Sequence, residues 1–432
     1  MRTTHFPAVG GFRLAVILFS LLSATAFGIA ARAEGWPGFQ GIDGYGKSPG
    51  RLPDSWTDRD YLWRLKLAST DVGSVAIAND QAFFLSFEPS RSSLVFHSLN
   101  VASGKELWTR PFPISEYHRH QRNTYASSTP TVAGDAVYIA YADPNHTWLR
   151  CFSLDGQERW SRDFGPWLSD HGFGTSPRVA GGLVMLYDSQ QAEQLEPGQS
   201  PSHERIIAVD AETGADRWIT PLKATRTNYG IPAFYESPSG LRQVIAAGTG
   251  NGIFGIDADN GELLWELPVL NKRSVGSPLV VGDLAIASCG SGGGGNYLVA
   301  VKIPDRRGEP AREAFRIDRA ASYVPTPAID GDTMTMISDN GIASRIRLPD
   351  GETIWSKRIG GNFGASPVII GDKVLLVSLD GIATVIANSD RFEKLGEVDL
   401  GAGVGASPAA GDGKLILRVG DELRCLPIEQ SL

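Results

Sequence analysis

The chain has 432 residues, 42% of them hydrophobic and 20% charged, with a formal charge of −8. That is enough apolar material for a sizeable core, and the acidic balance argues against nucleic acid or an anionic membrane surface as a partner. Fifty glycines and 26 prolines point to many turns rather than long helices.

The first 33 residues read as a secretory signal peptide. Arg2 and Arg13 make a positive n-region, LAVILFSLLSATAFGIA (residues 14–30) is apolar, and Ala31 and Ala33 stand where a cleavage site wants small residues. A cleaved leader implies a periplasmic or otherwise exported chain that is not an integral membrane protein. The first cysteine is Cys151, so no lipid-accepting cysteine follows the apolar stretch and a lipoprotein is not expected. Cys151, Cys289 and Cys425 are isolated and flanked by strand-like sequence, the pattern of buried free thiols, although one disulfide is open to them. Residues 34–59 read as an N-terminal extension.

From residue 60 the chain repeats itself. DYLWRLKL (60–67) is a lone tryptophan strand. Then come eight copies of one phrase: VGSVAIANDQAFFLS around Val75, and proline-bearing versions at Pro130, Pro177, Pro232, Pro278, Pro327, Pro367 and Pro408. Each has an apolar run, a Gly-Asp-like turn and a second run, as in ASPVIIGDKVLLVS, and a third run follows. A second phrase ends in tryptophan: SGKELW at Trp108, DGQERW at Trp160, TGADRW at Trp218, NGELLW at Trp265 and DGETIW at Trp355, with REAFRI placing Phe315 there. EKLGEVDL is a worn copy.

Gly-Asp suits tight hairpins, and four short antiparallel strands per 40 to 55 residues make one propeller blade. The last unit supplies three strands and stops, while Trp63 sits in a spare fourth. The expected fold is therefore all-β: an eight-bladed β-propeller over residues 60–432, closed by the N-terminal strand. Closure removes the sheet edges that an open array would expose.

The LW-ending phrase together with SPxVxxGDxVY resembles the pyrroloquinoline-quinone-type repeat. The resemblance covers nearly the whole chain after the leader. It extends to quinoprotein alcohol dehydrogenases, to the cofactor-free lipoprotein scaffold of the outer-membrane barrel-assembly machine, and to exported bacterial proteins whose opening WPGFQGIDGYG resembles. It implies that Trp63, Trp108, Trp160, Trp218, Trp265 and Trp355, with Phe315 in substitution, dock between neighbouring blades. It also implies what a dehydrogenase would need: a calcium held by Glu and Asn oxygens, an Asp base and a vicinal Cys-Cys pair. The chain has no adjacent cysteines. Neither quinone nor metal is expected, and no catalytic residue is assigned.

Other chemical motifs are weak. GSGGGGNY (290–297) lacks the Lys-Ser/Thr of a phosphate loop and reads as a flexible blade loop. His118 and His120 of YHRHQR read as solvated interblade residues. The segments that precede each first strand are richer. They offer Asn123, Tyr125, His171, Phe173, Asn228, Tyr229, Tyr323, Asn362 and Phe363. The first strand of a blade is innermost, so these positions converge on one mouth of the central channel. They either plug it and pack loops together, or line a pocket for a ligand. The reading is a monomeric, non-catalytic binding or protein-interaction scaffold with an envelope protein partner. The alternatives are a binder of small ligands or polysaccharide at the channel mouth, and a quinoprotein-like dehydrogenase.

Overall fold

The computed structural model describes residues 1–3, 5 and 35–429, so the expected leader lies almost wholly outside the described residues. The chain divides into residues 1–32 and residues 33–432, and the second unit carries every described strand. These strands form eight small sheets, each with four antiparallel strands in meander order, arranged as the blades of a propeller. Blade 1 runs from Ala76–Ala78 to Glu106–Pro113, blade 2 from Thr131–Ala133 to Glu158–Asp163 and blade 3 from Arg178–Ala180 to Asp216–Leu222. Blade 4 runs from Ala233–Glu236 to Leu263–Leu267, blade 5 from Leu279–Val281 to Arg312–Ile317 and blade 6 from Ala328–Asp330 to Thr353–Arg358. Blade 7 spans Val368–Ile370 to Lys394–Asp399, and blade 8 begins at Ala409–Gly411.

The first hairpin of each blade needs positive φ, which the Gly-Asp phrase supplies. Gly371 sits at φ 58°, and blade 1 does the same work with Asn79 and Asp80 at 54° and 60°. The second strands are buried on both faces because another blade lies on either side. In blade 2 all of Ala136–Asp143 is buried, whereas the outer Glu158–Asp163 alternates toward solvent. The core is correspondingly a series of interblade layers. One layer joins Phe83 and Phe96 of blade 1 to Ile139 and Phe152 of blade 2, and another joins Val244 and Phe254 of blade 4 to Met185 and Ile206 of blade 3.

Trp63–Lys66 completes blade 8. It pairs antiparallel with Glu422–Pro427, setting Trp63 opposite Cys425. A buried ion pair reinforces the seam: Arg418 of blade 8 meets Asp71 at 2.8 Å and also donates to the Gly73 and Leu85 carbonyls of blade 1. The three cysteines are free and buried. Burial pushes the Cys151 thiol up to about 11 and the Cys425 thiol to about 12.

Each outer aromatic reaches the next blade. The indole N–H of Trp63 donates to the Val101 carbonyl, Trp108 to Leu154, Trp160 to Ala211, Trp218 to Ala258 and Trp355 to Ser389. Beneath four of these rings lies the glycine of the turn before the next tryptophan phrase. A Cβ on Gly104, Gly156, Gly214 or Gly261 would come within 2.5 to 2.8 Å of the indole above it, and one on Gly351 within 2.4 Å of Phe315. Trp265 differs. It packs in the layer between blades 4 and 5, but its N–H turns back to Gln243 of its own blade at 2.7 Å. The reason is the turn opposite. In blade 5 it is longer, it carries Gly308 away from any side chain, and it sends Arg307 across to Asp257 and Glu262 of blade 4. At the worn copy in blade 7, Gly396 stands where the aromatic would be, and the Asp54 carbonyl occupies the place of its Cβ.

Residues 35–56 run along the inner strands. Trp36 bridges to Ile77 of blade 1, and the Pro37 carbonyl accepts from Val132 of blade 2. The Tyr45 hydroxyl donates to the Val280 carbonyl of blade 5 at 2.5 Å. Lys47–Ser48 then adds a parallel fifth strand to blade 7, and Arg51 bridges to Glu429 beyond blade 8.

Candidate functional site

The extension closes one end of the channel and leaves a blind well of about 1460 Å³ at the other. Its wall is built from three levels. At the bottom is Phe39 of the extension, next to Gly38, which lies against Thr131 of the blade 2 inner strand. Above it lies a ring of hydroxyls from the residues that precede the repeated prolines. Six of these residues, counting Ser74 before Val75, donate a backbone N–H to the hydroxyl of the counterpart in the next blade. The links are Ser74 to Thr129 (3.2 Å), Thr129 to Ser176 (2.9 Å), Ile231 to Ser277 (3.1 Å), Ser277 to Thr326 (2.9 Å), Thr326 to Ser366 (3.0 Å) and Ser366 to Ser407 (2.9 Å). The relay is interrupted at blade 4, where Ile231 has no hydroxyl to offer, and among the described residues no such bond joins Ser407 of blade 8 to Ser74 of blade 1. The Ser-Pro and Thr-Pro pairs are thus ring-stitching elements as well as strand starts. Proline sets the strand entry, and the residue before it supplies both donor and acceptor.

The third level is the rim. Of the residues singled out from sequence, Asn123, His171, Tyr229, Tyr323 and Asn362 line the well. Tyr125, Phe173, Asn228 and Phe363 do not. Tyr125 packs at 4.5 Å from Phe87, with its hydroxyl on the Tyr117 carbonyl. Phe173 lies edge-on to Trp167, and Phe363 is buried in the layer between blades 6 and 7. Asn228 is buried among Ser189, Glu204 and Ser274. The physical reason is the same for all four. The segment before a first strand is irregular, so neighbouring side chains point alternately to the channel and to the interblade layer. Apolar rings go where area can be buried, and Asn228 goes where backbone groups need partners.

The loop 117–123 corrects the sequence reading for His120, whereas His118 is exposed as that reading expects. It folds over the rim, and His120 stacks on His171 with centroids 5.1 Å apart and planes 10° apart. Asn123 fixes this arrangement by donating to the His171 carbonyl at 2.7 Å. Arg273 Nη1 lies 2.9 Å from His171 Nε2. Arginine can only donate, so His171 accepts there and is neutral with its proton on Nδ1. Burial, then Arg273, pushes the His171 pKa down to about 4, and His120 is lowered by burial and by Arg122 and Arg273. Burial raises the Tyr229 phenol to about 12.

Sequence reasoning also missed Arg119, Arg122 and Arg226, which reach the well, and the 290–295 glycine loop, which forms part of its wall. The loop is pinned by Lys272, which donates to the Gly294 and Gly295 carbonyls at 2.8 and 2.9 Å. The arginines carried no repeat signal, since each lies in a loop of its own length.

The fold and well define the class as a closed eight-bladed propeller with a plugged channel and a basic mouth. Over residues 91–357 the chain matches the family model described as outer membrane protein assembly factor BamB, and it belongs to that family. A BamB of Burkholderia pseudomallei is 23% identical over 328 residues, covering 68% of this chain and 82% of that one. The BamB structure from Moraxella catarrhalis superposes with a TM-score of 0.59 at 16% identity, covering 84% of this chain and 96% of the other. A europium-containing methanol dehydrogenase superposes at 0.62 with 10% identity, covering 89% of each chain. At these identities the two structures share the fold with this chain.

The dehydrogenase likeness raises the question of quinone and metal. The residues do not fit that pair. The carboxylates at the well are Asp318 and Asp339, and no group of three or more His, Cys, Asp or Glu that could hold a metal occurs among the described residues. The cysteines lie one each in blades 2, 5 and 8, so none forms a vicinal pair.

Proposed function

We propose that this chain is an exported, non-catalytic propeller scaffold that engages a protein partner of the cell envelope, as an assembly factor for outer-membrane proteins. The observation that carries the reading is the family match across residues 91–357, and a well lined by polar groups supports it. Arginines, amides, hydroxyls and tyrosines supply donors and flat faces. They do not assemble a nucleophile with a base, or a ligand set for a metal. The leader read at residues 1–33 supports delivery across the inner membrane. No described helix is long and apolar enough to cross a membrane.

The test is made in the source bacterium. Deleting the gene is expected to lower the steady-state level of outer-membrane barrel proteins, and a tagged chain is expected to co-purify with the barrel-assembly machinery. Normal barrel levels together with no co-purification refute the scaffold reading. Incubating the purified chain with quinone and calcium tests the alternative. Stoichiometric uptake with reduction of a dye acceptor by an alcohol would replace the scaffold with a dehydrogenase.

A further inference from the structure

We infer that the well is a receptor for an acidic polypeptide segment, a loop tip or chain end that carries several aspartate or glutamate side chains. This rests on the scaffold reading and names the chemistry of what the scaffold holds. Four arginines reach the well: Arg119, Arg122, Arg226 and Arg273. Arg273 spends its guanidinium on the Thr227 carbonyl and on His171, and Arg119 lies over the Tyr125 ring at 4.3 Å. None of the four is in an ion pair with a carboxylate, and Arg122 and Arg226 make no side-chain hydrogen bond among the described residues. The two opposing carboxylates are Asp318 and Asp339. Asp339 lies near Arg122, but it already accepts from the Tyr323 and Val324 backbone N–H groups at 2.7 and 3.4 Å. The chain as a whole has 48 acids against 40 lysines and arginines, so a basic mouth runs against its composition.

Size selects the occupant. At roughly 30 Å³ per water the well holds on the order of fifty waters, and it is larger than the usual range of about 300 to 1,000 Å³ for small-ligand sites. A phosphate or a single carboxylate would leave most of it wet. A polypeptide segment fills it, and the Phe39 floor prevents threading, so the segment must end or turn inside. The hydroxyls of the ring below the rim accept from backbone N–H groups, and their own protons have no acceptor among the described residues. They therefore remain donors for carboxylate or carbonyl oxygens deeper in the well.

The experiment uses the purified full chain and a fluorescein-labelled hexaglutamate peptide, followed by anisotropy, with a hexalysine peptide as control. Saturable binding is expected for hexaglutamate only, weakening with added salt. The variant R122Q/R226Q should bind at least about tenfold more weakly, the scale of losing charge-assisted contacts. Its thermal midpoint should match the parent's, because neither guanidinium holds the fold. Undiminished binding by the folded variant, or hexalysine binding equal to hexaglutamate, overturns the inference. So does competition by citrate or pyrophosphate at concentrations as low as the peptide's own Kd, which would make the site one for small anions. A chain that co-purifies with the assembly machinery yet ignores hexaglutamate refutes the well inference alone. A chain that binds hexaglutamate but co-purifies with nothing refutes the scaffold reading alone.

Discussion

Glu204 opens the third strand of blade 3 with 1% of its surface exposed. One carboxyl oxygen accepts from the Tyr187 hydroxyl and from Asn228, and the other, Oε2, is buried with no hydrogen-bond partner within 3.5 Å among the described residues. Burial outweighs these bonds and raises the pKa from 4.5 to about 7. The folded chain therefore keeps a proton that the unfolded chain releases above pH 4.5. The stability this confers is complete below pH 4.5 and is lost as pH rises through 7. A rise of about two and a half pKa units, at 1.36 kcal/mol each, corresponds to roughly 3 kcal/mol. Glu204→Gln is neutral throughout and keeps an acceptor for Tyr187, but it places an amide N–H₂ where Oε2 had no partner, at about 1–3 kcal/mol. Urea unfolding of parent and variant between pH 4.5 and 8 gives two stability curves. The variant is expected to be the less stable at pH 4.5 and to gain about 3 kcal/mol on the parent by pH 8. Every other titrating group cancels in that difference. Parallel curves would refute the claim that this carboxyl is protonated by its burial.

The seam between blades 8 and 1 should depend on its ion pair. Arg418→Met leaves Asp71 charged and buried and should cost about 3–5 kcal/mol in chemical denaturation, with the added Asp71→Asn recovering a large part. The docking glycines can be tested against an internal control. Gly261 and Gly308 have φ of 79° and 80°, but only Gly261 lies under an indole, so Gly261→Ala should cost about 1–3 kcal/mol more than Gly308→Ala in thermal unfolding. The three buried thiols should stay silent to a disulfide-exchange reagent in the native chain and react, all three, in denaturant.

Much of the scaffold is legible in the sequence because a blade is made of contacts between neighbours in the chain. The turn at Gly371, the proline that starts each first strand and the aromatic of most fourth strands all fall within 40 to 58 residues of their next copies. The split of the last blade follows from counting strands. What is not legible depends on pairs far apart in sequence. Gln40 donates to the Thr326 and Pro367 carbonyls, 286 and 327 residues away, and no period announces it. The plug therefore reads only as an extension. The rim fails for a related reason. Tyr229 faces the well while its neighbour Asn228 is buried, a choice made by the blade behind it. His120 joins the site because Asn123 reaches the carbonyl of a residue 48 positions on. Trp265 shows the limit of the repeat itself, since one longer turn in blade 5 redirects an indole that the phrase alone would place like the others.

These observations separate two sets of residues that carry different constraints. The ring is held by groups that point between blades, namely the outer aromatics on their glycines and the hydroxyl relay on backbone N–H groups. Both recur in most blades of this ring, so they follow the repeat and not the length of any one loop. The rim residues touch the ring through loops alone, and Arg122 and Arg226 make no side-chain hydrogen bond to it among the described residues. Changing them costs the fold little, so the mouth is free to take on different chemistry while the blades stay fixed. In this chain the mouth has become basic on an acidic protein, and the channel behind it has been stopped by the chain's own residues 36–46. A channel that needed to pass something would keep both ends open. One that is floored with an apolar ring and rimmed with guanidinium groups that form no ion pair with a carboxylate among the described residues is shaped to hold an acidic guest at its entrance.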